Sequence, residues 1–488
     1  MERRKFLSQS AMAGAALAFS KSSMAKMIPD EFPVVRVPEV RRRFKSNAVE
    51  SLIAEVKRNV SNREIGWLFE NCFPNTLDTT VEFSTVNGKP DTYVITGDID
   101  AMWLRDSTAQ VSPYLPLCKE DKELHKMIEG VIRRQTRCIL LDPYANAFYK
   151  DSSKISEWKS DLTDMKPGVH ERKWEIDSLC YPIRLGYNYW KITGDISPFD
   201  DQWKEAMQLI IKTFREQQRV SGPGPYKFQR NTPKATDTQP MGGYGYPTKP
   251  NGLICSSFRP SDDATIFPYL VPSNFFAVAS LQNLAEMWER IVKDATVAND
   301  ARALAKEVWM SLQQNAVIMH PKFGRIYAYE VNGYGGQNLM DDANVPSLLG
   351  MPYLNTVGSS DITYQNTRKY ILSDDNPFYF KGQAAEGIGS PHTGANMIWP
   401  IGITMRGLTS TDPAEIKQCL DWLRQTHSGT GFMHESFNKD NPINFTRKWF
   451  AWANTLFGEF IWKVYKERKD ILNSMPNPAA PGTTANLK

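Results

Sequence analysis

Apolar residues recur at three- and four-residue intervals along most of this chain. The stretches "AVESLIAEVKRNVSNREIGWLFENCF", "FAVASLQNLAEMWERIVKDATVANDARALAKEVWMSLQQNAV" and "PAEIKQCLDWLRQTH" each carry apolar stripes at helical spacing, separated by turn-rich loops. The pattern predicts a mostly helical body. Period-two alternation is confined to "TTVEFST", "DTYVIT" and "RIYAYEVNG", which predict short hairpins on the rim of that body. No low-complexity linker interrupts the pattern, so residues 26–475 are expected to form one large domain.

A longer recurrence overlies the helical one. Four segments begin with aspartate, continue through a small residue and run into an apolar stretch with a proline: "RDSTAQVSPYL" at Asp106, "IDSLCYPIRL" at Asp177, "DDATIFPYL" at Asp263 and "DDANVPSLL" at Asp342. Their spacings of 71, 86 and 79 residues each leave room for a helical hairpin and a loop. Aspartate is a favoured N-cap, and proline is tolerated in a first turn whose N–H groups are orphaned anyway. Ordinary capping accounts for any one segment. Four of one form predict the inner helices of a toroid, whose starts gather acids, an arginine and aromatics at one mouth.

Composition narrows the chemistry. The formal net charge of +4, part of it in the first 27 residues, is too weak to imply a nucleic-acid or anionic-lipid partner. Thirteen Trp, nineteen Tyr and twenty-four Phe supply flat faces suited to sugar rings, or simply fill helical cores. Six histidines without HxH or HExxH spacing, and acid runs that lack a calcium-loop alternation, give no metal site, and no nucleophile elbow or phosphate loop of the GxSxG, GxxxxGK[ST] or GxGxxG type occurs. Six scattered cysteines read mostly as buried thiols, with one or two bridges open in an oxidising compartment. Residues 1–25 combine a basic start, an apolar run from Ala11 to Phe19 and small residues at Ser23 and Ala25. This predicts a cleavable export signal, twin-arginine-like or secretory, and hence a periplasmic or secreted protein without a membrane anchor. Residues 476–488 read as a frayed tail.

"TGDIDAMWLRDSTAQVSPYL" resembles the signature of glycoside hydrolase family 125, the exo-acting α-mannosidases. The resemblance continues in order through "KWEIDSLCYPIRLGYNYW", "SSFRPSDDATIFPYLVPSNFFA", "GIGSPHTGANMIWPIGI" and "FMHESFNKDNPINFTRKWFAWANTLFGEF". It departs at Asp100, where proline is expected. It implies an all-α (α/α)6 barrel, release of terminal α-1,6-linked mannose from an oligosaccharide or N-glycan-derived substrate, inversion of configuration, and no metal or cofactor. A monomer is the simplest expectation.

Inverting hydrolysis needs a protonated carboxyl on the leaving oxygen and an ionised one holding water on the opposite ring face, about 6.5–9.5 Å apart. By resemblance Asp262 or Asp263 is the general acid and Glu435 the base. Trp103, Arg105 and Asp106 resemble the grip on the terminal mannose, Trp174 and Asp177 lie at the second aspartate segment, and Arg259 precedes the acidic pair. "SPHTGANMIWP" adds His392, Thr393, Asn396 and Trp399 as binding residues. A silent mannoside-binding protein on the same toroid, or a uronate lyase, are the competing classes.

Overall fold

A computed structural model describes residues 32–477, and residues 34–477 form one compact unit. The expected export signal lies outside the described residues, as does most of the expected tail.

In chain order, α1 (Asn47–Asn59), α2 (Arg63–Cys72) and the short α3 (Asn75–Thr79) lead into the hairpin of β1 (Val81–Val86) and β2 (Lys89–Val94). A two-residue β3 (Met102–Trp103) then opens α4 (Leu104–Val111), which α5 (Lys122–Leu141) follows. After β4 (Ala147–Phe148) and β5 (Val169–Glu171) come α6 (Ile176–Thr193) and α7 (Asp201–Gln217). A long loop reaches β6 (Tyr269–Leu270), α8 (Val271–Met287) and α9 (Ala295–Asn315). Next are β7 (Val317–His320), β8 (Gly324–Tyr327), β9 (Glu330–Val331), β10 (Gln337–Asn338) and α10 (Ile362–Ile371). The chain ends through β11 (Tyr379–Lys381), β12 (Glu386–Ile388), β13 (Met397–Ile398), α11 (Pro400–Leu408), α12 (Pro413–Thr426), β14 (Ser436–Asn438), β15 (Phe445–Thr446), α13 (Ala451–Glu467) and α14 (Lys469–Ser474).

Burial sorts these helices into two rings. All of α4 and nearly all of α8, α11 and α13 are buried, as is most of α6; a helix without a polar face belongs inside. The neighbours α5, α7, α9 and α12 are amphipathic and cover them. Inner helices pack α4 on α6, α6 on α8, α11 on α13 and α13 back on α4, and these are the five regular inner helices of an (α/α)6 barrel. The seam is stitched by the Gly97↔Phe450 bridge and by the Ala451 N–H donating to the Thr96 carbonyl at 3.2 Å. Gly97 has φ +136°, and a Cβ there would meet the Trp449 carbonyl oxygen at 2.6 Å, so the closure requires glycine.

The hairpin predicted at 79–96 is β1–β2, whereas the third alternating stretch splits: β8 pairs with β7, and β9 joins β6 and β10. The recurrent aspartates behave differently from the expected caps. Asp106 and Asp177 lie inside the first turns of α4 and α6, which begin at Trp103 and Glu175 without a side-chain cap. Asp263 sits in a loop before α8, and Asp342 precedes irregular chain through a cis Val345–Pro346 bond. All six cysteines are free and buried.

Candidate active site

The inner helices α4, α11 and α13 and the loops beside them surround a cavity with about 390 Å³ of empty space. Trp103, Arg105, Asp106, Asp262, His392, Trp399 and Glu435 line it, together with Thr96, Ile99, Pro260, Ser261, Asn344, Arg447 and Trp452. Both candidate acid and candidate base segments therefore reach one space.

Short strands bring the acid wall together. β3 pairs with β4 and β4 with β5, so Trp103 faces Ala147 and Ala147 faces Glu171. This places Arg105, Asn146 and Glu175 side by side just beyond the strand ends. The Arg105 Nη1 donates to Glu175 Oε2 at 2.5 Å and to Asp177 Oδ2 at 3.2 Å, and Nη2 donates to Asp262 Oδ1 at 3.0 Å. Its Nε lies 3.5 Å from Asp106 Oδ2, whose other oxygen accepts from the Thr96 hydroxyl at 2.6 Å. One guanidinium thus gathers four carboxyls. Burial pushes the Asp106 carboxyl up despite Arg105, and burial likewise raises Asp177.

Asp262 and Asp263, adjacent in sequence, occupy different environments. The loop is pinned by Phe258 and Arg259 hydrogen bonds to Trp174 and Asp263 carbonyls at 3.0 and 2.8 Å. Asp262 adopts φ +65°, a left-handed conformation unusual outside glycine, and its side chain retains 23% exposure toward the cavity. Lys173 Nζ holds its carbonyl at 3.0 Å. Asp263 is 1% exposed and stands 3.2 Å from His392 Nδ1 and 3.4 Å from Lys234 Nζ, outside the cavity lining. Burial drives the Asp263 carboxyl up, but the His392 hydrogen bond and the two cations outweigh it and hold it below its usual range. Burial opposes the His392 charge, yet Asp263 wins and raises the imidazole.

The base wall is simpler. Glu435 precedes β14, which pairs with β13 at the start of α11, and this fixes Glu435 against Trp399. Arg447 Nη1 donates to Glu435 Oε1 at 3.4 Å while its Nε binds Asp98 at 2.9 Å. His434 turns away from solvent, stacking on Phe445 with centroids 3.7 Å apart, and burial lowers it to about 4.

Other expected residues support rather than line the cavity. Trp174 is fully buried, donating Nε1 to the Cys255 carbonyl at 2.7 Å, and Asp177 lies beneath Arg105 with no exposure. Arg259 pairs with Glu330 at 2.6 Å, and Glu330 in turn accepts from the Ile266 and Phe267 N–H groups. Thr393 accepts from Trp399 Nε1 at 2.8 Å and so orients that ring. Asn396 is an exposed turn residue at φ +66°. Asp100, the one departure from the expected motif, is exposed in a bend.

Sequence reasoning missed Glu175, Asn146, Lys173, Asn344, Arg447 and Trp452 at or behind the cavity. Glu175 had one signal: glutamate is a poor N-cap, yet it stands where α6 begins, two residues before Asp177.

A family model for metal-independent α-mannosidase (GH125) matches residues 62–462. The chain belongs to this family. As a GH125 member it is a glycosidase acting on α-mannosides, and its fold agrees with that assignment. It is 41% identical over 462 residues, covering 91% of each chain, to the Meiotically up-regulated gene 157 protein of Schizosaccharomyces pombe. It is also similar to a solved Streptococcus pneumoniae metal-independent α-mannosidase in a non-productive complex with α-1,6-mannobiose, with 40% identity and TM-score 0.83. That match covers 89% of this chain and 100% of the other. A Bacillus sp. GL1 rhamnosidase, 12% identical with TM-score 0.50 over 83% of this chain and 35% of its own, shares the fold alone.

Proposed function

We propose that this GH125 α-mannosidase removes α-1,6-linked mannose from the non-reducing ends of mannose-containing glycans, with inversion at the anomeric carbon. The observation that carries the reading is that Asp262 and Glu435, from remote chain segments, line one cavity with tryptophans beside them. The S. pneumoniae relative, solved with α-1,6-mannobiose, supports the linkage. A pocket at the ends of the inner helices suits a chain terminus better than a through-running polymer.

Asp262, the cavity-facing member of its pair, protonates the leaving oxygen. Glu435 takes a proton from the water that attacks C1 from the opposite ring face. Arg105 and Asp106 offer fixed donors and acceptors to sugar hydroxyls. Trp103 Nε1 is buried without a partner among the described residues and is free to donate to another hydroxyl. Asp263 acts through His392. We read residues 1–25 as an export signal, residues 26–475 as the catalytic domain and residues 476–488 as a tail, which makes the protein periplasmic or secreted.

Incubation with α-1,6-mannobiose is expected to release mannose, the first product seen by proton NMR being the β-anomer. D262N should lose roughly 100-fold or more on mannobiose while keeping most activity on an aryl mannoside with a good leaving group; E435Q should lose about 10²–10⁴-fold on both with binding retained. D263N should show no leaving-group dependence. Binding without release would make the chain a mannoside-binding protein, and an α-anomer as first product would refute inversion.

A further inference from the structure

The wall behind Asp262 holds more acids than cations. Arg105 alone meets Asp106, Glu175, Asp177 and Asp262, while Lys173 reaches Asp262 only at its carbonyl and directs its charge to Glu171 at 3.4 Å and Asp237 at 2.5 Å. Glu175 and Asp177 have no solvent exposure. Uncompensated buried charge is costly enough that a proton must remain inside such a cluster.

Shared donors set two of these carboxyls beside each other. Asn146 Nδ2 lies 3.3 Å from Glu175 Oε1 and 3.4 Å from Asp262 Oδ1, and the two Arg105 terminal nitrogens grip the same two carboxyls from the other side. Ser178 donates to Glu175 Oε2 at 2.9 Å. Held this way, the Glu175 and Asp262 carboxyls lie side by side, sharing the Asn146 Nδ2 and the Arg105 guanidinium.

Resting on the reading of Asp262 as the acid, we propose that Glu175 is a positioning residue that stores the catalytic proton and passes it to Asp262 across this carboxyl–carboxyl contact. Burial, strengthened by the Asp262 and Asp177 charges, raises Glu175 well above the carboxylate range against the pull of Arg105. Burial also works on Asp262, but the charges of Arg105 and Lys173, the neighbouring Glu175 carboxyl and His392 outweigh it and hold Asp262 well below the usual carboxylate range. Before reaction, Glu175 is neutral and Asp262 charged. Transfer leaves Glu175 ionised against Arg105 and Asp262 neutral. Asp262 then gives that proton to the glycosidic oxygen as the C1–O bond breaks, while the attacking water loses its proton to Glu435. Both acid-wall carboxyls end ionised, and one proton returning from solvent resets the pair.

E175Q removes the stored proton and leaves an amide donating to Asp262, which stabilises the Asp262 charge. The expected result is a loss of roughly 100-fold or more on α-1,6-mannobiose, with the rate on a dinitrophenyl mannoside within about threefold of wild type. The alkaline limb of kcat/KM on mannobiose should move to lower pH, and the variant-minus-wild-type infrared difference spectrum should show the loss of one buried protonated-carboxyl component. Equal losses on both substrates with an unmoved limb, or a variant-minus-wild-type infrared difference spectrum without loss of a protonated-carboxyl component, would overturn the role of Glu175. If E175Q does not fold, E175D decides: lengthening the contact should slow mannobiose alone, and an unchanged mannobiose rate overturns the proposal. D262N separates the two readings. A wild-type mannobiose rate in D262N removes the acid assignment itself, whereas a leaving-group signature in D262N but not in E175Q removes only the relay.

Discussion

The outer and inner helices of the barrel begin in opposite ways. α5, α7, α9 and α12 start at Asp121, Asp200, Asp294 and Asp412, and each of these side chains accepts a first-turn backbone N–H. α4, α6, α8, α11 and α13 start at Trp103, Glu175, Leu270, Trp399 and Phe450, none of which makes such a bond. These outer starts are partly or fully exposed, and a local acceptor satisfies their orphan N–H groups. Inner starts converge on the cavity, where large residues shape the walls and the acids are turned toward Arg105. The same residue type therefore does different work in the two rings: aspartate caps outside and forms an ion cluster inside.

Breaking the inner cluster should have the largest effect. R105M strips the cation from four carboxyls and should cost about 3–5 kcal/mol by denaturant or thermal unfolding, together with activity. The deficit should shrink on acidification. Without the guanidinium the native carboxyls bind protons more tightly than the unfolded ones, so the variant gains stability as pH falls. A loss no larger than that of a cap mutant would mean the inner acids act as ordinary caps.

The His392–Asp263 pair is a smaller test. The raised imidazole contributes stability that is complete below its unfolded pKa and lost as pH rises through its folded one; the depressed carboxylate contributes above its unfolded pKa and loses it as pH falls through its folded value. The pair is therefore worth most in mildly acidic solution. H392N should lower stability by about 1 kcal/mol near pH 5.5 and by less at alkaline pH. A pH-independent loss would assign His392 to packing.

The smallest effect belongs to the outer ring. D412A removes the acceptor for the Ala414 N–H at the start of α12 and should cost about 1 kcal/mol while leaving kcat/KM unchanged. A fall in activity comparable to that of an inner variant would erase the distinction between the rings.

Much of this was legible along the chain. The three-to-four spacing gave the paired helices at 47–72, 271–315 and 413–426, and period two gave β1–β2. The segments that carry Asp262, Glu435, Arg105 and Trp399 were visible because each combines charge and aromatics near a helix start or tight loop. Their sorting was not visible. Asp262 and Asp263 look equivalent in sequence, and only the left-handed backbone at Asp262 and the His392 contact at Asp263 turn one into the cavity and the other away. Trp174 and Arg259 were placed near the sugar by resemblance; the structure sets both behind the cavity lining, on the Cys255 carbonyl and on Glu330.

The sequence by itself determined the helical periodicity, the alternation of elements and the chemical inventory, because these depend on residues a few positions apart. Only the tertiary structure decided which acids share Arg105, which carboxyl meets the cavity and that Glu175 stands behind Asp262. Those facts depend on distances between remote segments, and burial among such neighbours, more than residue type, sets where a carboxyl holds its proton.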